Sequence, residues 1–386
     1  MITASQFIQI LQDNNVYNLK KLEYKYGKTI ILEFINLLKE SSYKQIPIKD
    51  FNNNFLVFCP ALVNISDSAY QFLLSSENLK VSNLEQEIKG TLDIENIEST
   101  RNSIRNIIKG YAPQNSNENK IYGIKKGLDF ISNKQNKINK ENLYKLYNIV
   151  MDNNLENNEH LIEGNYYRHD SVYIVGNKIS HQGLNHNLLP QYMEEFINFI
   201  NTDDNMNVII KSITIHFYLS YLHPYFNGNG RMARLLHLWF LIQNNFNTNF
   251  LVPFSEFISK TKNKYYKSFE VIEQNANISN IIDISPFIAY FTNNIFANLK
   301  HQPIECDSLK IFKEALKQGK ITSKEKDLFM FISSTYSDTE FSTKQLEKDF
   351  QNAAYATIRS FVLKFTELGI LSSQQYGNRT KYKLIL

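Results

Sequence analysis

The chain has 386 residues, enough for two or three domains with substantial cores, and its hydrophobic content of 43% is that of a globular protein. Lys and Arg number 42 against 38 Asp and Glu, and the resulting net charge of +4 is too small to argue for nucleic acid by itself. Two cysteines, Cys59 and Cys306, exclude a disulfide framework and fit a reducing cytoplasm. The start, MITASQFIQILQDNN, lacks a charged region followed by a long apolar run, and no segment is apolar enough to span a bilayer. The expectation is a cytoplasmic protein with no membrane contact and, for want of His/Cys spacing, no zinc site.

Residues 1–110 read as helical, with apolar periodicity in FIQIL and ILEFINLL. Within them Leu84, Ile88, Thr91 and Glu95 step by four, three and four along one face of a helix expected over about 84–109. A carboxylate on a core-directed stripe wants a buried cationic partner. Thr91 and Glu95 are also one residue too far apart for a capping box. PQNSNENK (113–120) reads as a polar loop, after which helical patterning runs from about 121 to 300. Inside that stretch GNYYR (164–168) precedes SVYIVGNKISH (171–181), where alternating apolar residues flank Gly176-Asn177, a two-residue hairpin signal.

Residues 208–222 (VIIKSITIHFYLSYL) and 235–242 (LLHLWFLI) are apolar on nearly every face, as buried helices are. Pro224 biases His223 out of the α region, so the first helix should end there and the second begin near Arg231. The loop between them, HPYFNGNGRMAR (223–234), concentrates phosphate chemistry. His223 is a proton acceptor, while Gly228, Asn229 and Gly230 can turn backbone N–H groups toward an anion. Arg231 and Arg234 share a helical face and match phosphate oxygens bidentately. Two arginines in the first turns of a helix oppose its dipole, which a bound anion would compensate. GNGRMA also fits the dinucleotide fingerprint, but that motif must follow a strand, and no Lys-Ser/Thr pair completes a Walker loop. A glycine turn between core helices accounts for the glycines, but not for His, Asn and two Arg together.

Beyond a linker at 301–320, lysine-rich over 309–320, lies a separate unit, 321–386. Helical patterns at 322–334, 343–350 and 355–368 end in Gly369, and a Gly377-Asn378 turn then divides two strands. Three helices and a hairpin look like a winged-helix module, with Arg359, Lys364, Arg379, Lys381 and Lys383 as its cations.

The 223–234 loop resembles the signature of Fic-domain proteins, His-Pro-Phe-x-(Asp/Glu)-Gly-Asn-Gly-Arg-x-x-Arg, and departs from it at two defined positions, Tyr225 for Phe and Asn227 for the acid. His216 is similar to a further family histidine, and TLDIEN (91–96) to the inhibitory pattern (Ser/Thr)-x-x-x-Glu-(Gly/Asn). The resemblance implies a mainly α fold, a Fic-type helical bundle at 121–300 with a short β-hairpin flap, beside a C-terminal winged helix. It implies transfer of AMP from ATP to a protein Tyr, Thr or Ser hydroxyl, self-modification included. His223 would be the base; Gly228, Asn229 and Gly230 the anion hole; Arg231 and Arg234 the holders of the β- and γ-phosphates. Tyr265 and Tyr266 would lie near the nucleoside. Thr91, Glu95 and Asn96 would form the self-inhibitory element, Glu95 pairing with Arg234. Tyr173, Ile174 and Val175 of the flap would clamp the target backbone as an added strand. Position 227 would hold Mg²⁺, and Asn227 offers a carbonyl oxygen without negative charge, so weaker metal binding and slower transfer are expected. Two further readings stand beside this one, a silent nucleotide-binding scaffold and a DNA-binding regulator working through the winged helix. A homodimer is compatible with each.

Overall fold

The computed structural model describes residues 2–63, 65, 81–151, 155–175, 179–246, 252–299, 307–336, 339–377 and 379–385. The hairpin turn at Gly176-Asn177, Asn378 and Cys306 lie outside the described residues. Cys59 is buried and unbridged. No helix among the described residues is long and apolar enough to cross a membrane.

Three helices open the chain: α1 (Ala4–Leu11), α2 (Leu19–Tyr26) and α3 (Lys28–Ser41). The expectation of an all-helical start fails next, at an antiparallel hairpin of β1 (Lys44–Lys49) and β2 (Phe55–Phe58). Its signal is short: Ile46 and Ile48 alternate into the core, and Asp50 Oδ1 accepts the N–H groups of Asn52 and Asn54 to make the turn. Ile10, Phe34 and Ile35 belong to a small core of their own, while the hairpin's isoleucines join the main one.

The helix expected over 84–109 is two. Helix α4 (Val81–Ile94) ends when Asn96 takes a left-handed conformation (φ 56°), with Ile97 N–H bonded back to the Leu92 carbonyl at 2.9 Å and Asn96 N–H to that of Asp93 at 3.2 Å. This is a Schellman stop, and Asn is the residue type after Gly that tolerates its geometry. Helix α5 (Arg101–Ile108) then starts afresh on a Thr100 cap. Five residues of the expected loop at 113–120 also fold differently: Asn115 caps α6 (Ser116–Ser132), which packs against α7 (Lys140–Met151).

Central to the molecule are α8 (Leu189–Asn201), α9 (Val208–Leu222) and α10 (Asn229–Gln243), the last two buried over nearly every face. Around them pack α6, α7, α11 (Phe254–Lys260), α12 (Lys262–Ser279) and α13 (Ser285–Phe291), which runs on through a π turn at Thr292–Phe296. One apolar core, from Ile46 to Phe296, joins all of these elements. Strands β3 (Tyr173–Val175) and β4 (Ile179–Gln182) form an antiparallel hairpin over the α9–α10 loop.

The connection at 301–320 contains a helix, α14 (Asp307–Lys317), whose Phe312 stacks on Phe329 at 3.8 Å. Then come α15 (Ser323–Thr335), α16 (Thr343–Phe350), α17 (Tyr355–Glu367) and the hairpin β5 (Leu371–Tyr376) and β6 (Arg379–Leu384), around a second core. Of its cations, Lys364 is held by Glu325 at 2.8 Å and Lys381 by Glu340 at 3.4 Å, so two of the five named charges are already neutralised within the unit. Helix α15 packs against α4, and Lys109 beside it bonds the Asp349 carbonyl and lies 4.7 Å over the Phe331 ring.

His216 and His237 face each other inside the main core, ring centroids 5.7 Å apart, among Phe254, Phe287 and Phe291. Burial holds both imidazoles below the ordinary 6.5, His237 at about 3. A depressed folded value means that the neutral ring's contribution is whole above 6.5 and is lost as pH falls below it. Going from about pH 7 to about pH 5 should therefore cost about 2 kcal/mol of stability per histidine. Urea unfolding at the two pH values should show this loss, and His237→Phe should remove about half of it.

Candidate active site

Helix α9 ends at Leu222, and His223 takes a left-handed backbone (φ 53°, ψ 59°) that a non-glycine residue adopts at a cost of about 1 kcal/mol. Arg168 maintains it. Its buried guanidinium donates from Nε to the His223 carbonyl at 2.8 Å and from the two Nη groups to the carbonyls of Asp170 and Leu184, while its own backbone N–H bonds the Pro224 carbonyl. Burial lowers the Arg168 pKa to about 10, which leaves it charged at neutral pH. The hairpin base is sewn to the same place, Gly183 N–H on the Val172 carbonyl and Leu184 N–H on that of Leu222. In the sequence Arg168 is a lone arginine after two tyrosines, a signal that does not reveal three carbonyls waiting for it.

On the imidazole, Nδ1 lies 3.2 Å from the Ser220 carbonyl, which only accepts, so Nδ1 carries the proton and Nε2 is the basic nitrogen. Beyond His223, Tyr225 stacks on Tyr147 at 3.9 Å. Asn229 clamps the turn, accepting from Tyr225 N–H at 3.0 Å and donating to the Tyr225 carbonyl at 2.7 Å. Gly228 has φ 79°, and a Cβ there would lie 2.5 Å from Met151 Sδ, so only glycine fits. Asn227 accepts from Gly228 N–H through Oδ1 and donates from Nδ2 to Glu159 Oε1 at 2.9 Å.

Arg231 and Arg234 rise from the first two turns of α10, each 4% exposed in its side chain. Glu95 meets both: Oε2 stands 2.9 Å from Arg231 Nε and Oε1 2.6 Å from Arg234 Nη2. Arg234 also donates from Nε to Thr91 Oγ1 at 2.7 Å. The Arg231 contact is a charge contact without hydrogen-bond alignment, and among the described residues Nε and Nη1 of Arg231 have no acceptor. Two buried guanidiniums, Arg231 with donors to spare, form an anion site, and a single carboxylate fills part of it.

Helix α4 carries that carboxylate on a close-packed seat. Gly90 lies so near α11 that a Cβ would fall 2.3 Å from Glu256 N, and buried Glu87 accepts the N–H and hydroxyl of Ser255. Burial raises the Glu87 pKa while these two bonds oppose the rise. Glu87, absent from the sequence reasoning, looks there like an ordinary helix carboxylate. Asn96 accepts from Lys262 Nζ at 2.7 Å.

The two tyrosines part company. Tyr265 is 3% exposed, with its hydroxyl 2.9 Å from His216 Nε2 in the aromatic core. Tyr266 is half exposed and reaches the Ile94 carbonyl at the end of α4. In the hairpin Tyr173 is 50% exposed, whereas the side chains of Ile174 and Val175 lie outside the description.

This bundle and loop define a class. Residues 137–241 match the Fic/DOC family. A probable protein adenylyltransferase of Aquifex aeolicus is 25% identical over 162 residues, covering 41% of this chain and 49% of the relative. The protein adenylyltransferase Fic of Drosophila yakuba is 26% identical over 134 residues, covering 34% and 24%. The matches thus span about half and about a quarter of these relatives' lengths. Among solved structures, a Fic family protein from Desulfovibrio desulfuricans G20 shares the fold with TM-score 0.53 at 17% identity over 88% of this chain and 98% of that one. Fic-1 of C. elegans (residues 134–508) does so with TM-score 0.51 at 17% identity, over 77% and 82%. Residues 137–241 are thus the Fic domain of this chain.

Removing the Glu95 carboxylate leaves two buried cations without a counter-charge. Glu95→Gly should lower the melting temperature by about 2–4 °C, and pyrophosphate should restore it while leaving the wild-type value unchanged. Differential scanning calorimetry with and without pyrophosphate checks both.

Proposed function

We propose that this protein transfers AMP from ATP to a hydroxyl of a protein side chain, its own among them, and that Glu95 restrains the reaction. The observation carrying this reading is the pair of buried arginines, Arg231 with unfilled donors, on the same loop as a histidine whose basic nitrogen is fixed. The names of the two relatives, both protein adenylyltransferases, point the same way.

In this reading the target hydroxyl loses its proton to His223 Nε2 as its oxygen attacks the α-phosphorus of ATP. The bond from that phosphorus to the α–β bridging oxygen breaks, and pyrophosphate leaves with the electron pair. The protein supplies position and charge. Gly228, Asn229 and Gly230 present the N-terminus of α10 to the phosphates, with Arg231 on the β- and Arg234 on the γ-phosphate. The exposed Tyr173 edge of the hairpin receives the target as an added strand, and half-exposed Tyr266 borders the nucleoside. Mg²⁺ would be held at Asn227, where it neutralises polyphosphate charge; the amide oxygen there, with the Glu159 carboxylate against the amide nitrogen, is a hard-oxygen donor set suited to it.

Glu95 takes the Nη2 donor of Arg234 and sets its charge against Arg231, the two arginines that this reading gives to the phosphates, and its helix is locked by Thr91, Gly90 and Glu87. Relief requires that α4 move or that its carboxylate be removed. We assign 81–108 as the restraint, 121–300 as the transferase core and 321–386 as a winged-helix-like module.

The test incubates wild-type, Glu95→Gly and Glu95→Gly/His223→Ala proteins with Mg²⁺ and either α- or γ-labelled ATP. Label should come from the α-phosphate alone, should rise at least about tenfold with Glu95→Gly, and should fall by about a hundredfold or more when His223 is also lost. A folded Glu95→Gly protein that binds ATP yet takes up neither label would overturn the reading in favour of a silent scaffold.

A further inference from the structure

The loop departs from its family signature where a carboxylate is expected, yet a carboxylate stands there. Glu159 comes from the turn after α7, far from the loop in sequence, and Asn227 Nδ2 donates to its Oε1 at 2.9 Å. The turn itself aims the side chain, because Glu156 N–H donates to Glu159 Oε2 at 3.0 Å and Glu159 N–H to the Glu156 carbonyl at 2.9 Å. These bonds use two of the four acceptor directions that a carboxylate offers. Among the described residues no Lys, Arg or His forms an ion pair with Glu159, so its charge is not already cancelled.

A second observation marks the same spot. The Tyr147 hydroxyl is buried and has no hydrogen-bond partner among the described residues. Burial raises its pKa, Glu159 raises it further and Arg231 lowers it, so the hydroxyl lies in the field of both the carboxylate and the guanidinium.

We propose that Glu159 supplies through space the negative ligand that Asn227 lacks, so that Glu159 and the Asn227 amide oxygen together bind the divalent cation accompanying the nucleotide. Magnesium and manganese take hard oxygen donors, and one charged with one neutral oxygen meets that need while waters and phosphate complete the shell. Asn227 then acts as a link: its amide nitrogen orients the carboxylate and its amide oxygen faces the loop. The inference rests on the nucleotidyl-transfer reading, and its test separates the two.

Calorimetric titration of the Glu95→Gly protein with a non-hydrolysable ATP analogue, once in EDTA and once in saturating Mn²⁺, reads nucleotide and metal binding apart. Mn²⁺ should raise nucleotide affinity at least tenfold. Glu159→Gln, which keeps the side chain's shape and a carbonyl acceptor, should abolish that gain while changing the EDTA affinity less than twofold. Adding Asn227→Asp to Glu159→Gln should bring the gain back, which a fold defect would not allow. Retention of the Mn²⁺ gain by Glu159→Gln, its absence from the parent, or failure of Asn227→Asp to restore it would overturn the inference alone. No nucleotide binding in either condition would take down the transfer reading, and this inference with it.

Discussion

Three charges, each badly placed on its own helix, hold the site together. Arg231 and Arg234 sit near the N-terminus of α10, where the backbone dipole disfavours cations. Glu95 sits at the C-terminus of α4, where it disfavours anions. Brought together, they cancel each other and both dipoles, at 2.9 and 2.6 Å with little solvent. The cost of separating them is the desolvation of two buried guanidiniums, so anything that displaces Glu95 must bring negative charge of its own. A polyphosphate does so.

Everything around that contact fixes where it falls. Helix α4 approaches α11 as closely as Gly90 permits and is bonded there through Glu87, so its end has little freedom to slide. The Schellman stop at Asn96 ends the helix one residue past its last turn, which leaves Glu95 at the point of crossing. The C-terminal unit adds a further hold, since α15 packs on α4 and Lys109 bonds into it. The 321–386 unit is thus in contact with the element that carries Glu95.

The α9–α10 loop shows the complementary constraint, a strained backbone kept in place by bonds to its carbonyls. His223 is left-handed, Gly228 is left-handed, and Asn229 just after them closes the turn around Tyr225. Arg168 gives its guanidinium to main-chain oxygens, which is why a buried arginine is tolerated without a carboxylate. The Ser220 carbonyl then sets the tautomer of the imidazole that results.

The sequence by itself determined the parts whose physics is local. Apolar runs on every face gave the two buried helices, and Pro224 ended the first of them at His223. The glycine–asparagine spacing of 223–234 specified the loop, and periodicity with Gly369 specified α15 to α17 and their stop. The tertiary structure decided what depends on residues far apart in the chain. That the 84–109 stripe breaks in two, that 307–317 is helical and that 44–58 is a hairpin turn on packing partners that outweigh weak local preference. A carboxylate on a buried stripe announces that a cation faces it, but only the crossing of α4 and α10 makes that two arginines. Arg168 under the loop and Glu159 against Asn227 carry no spacing signal, because their partners lie 55 and 68 residues away and meet them only when the bundle closes.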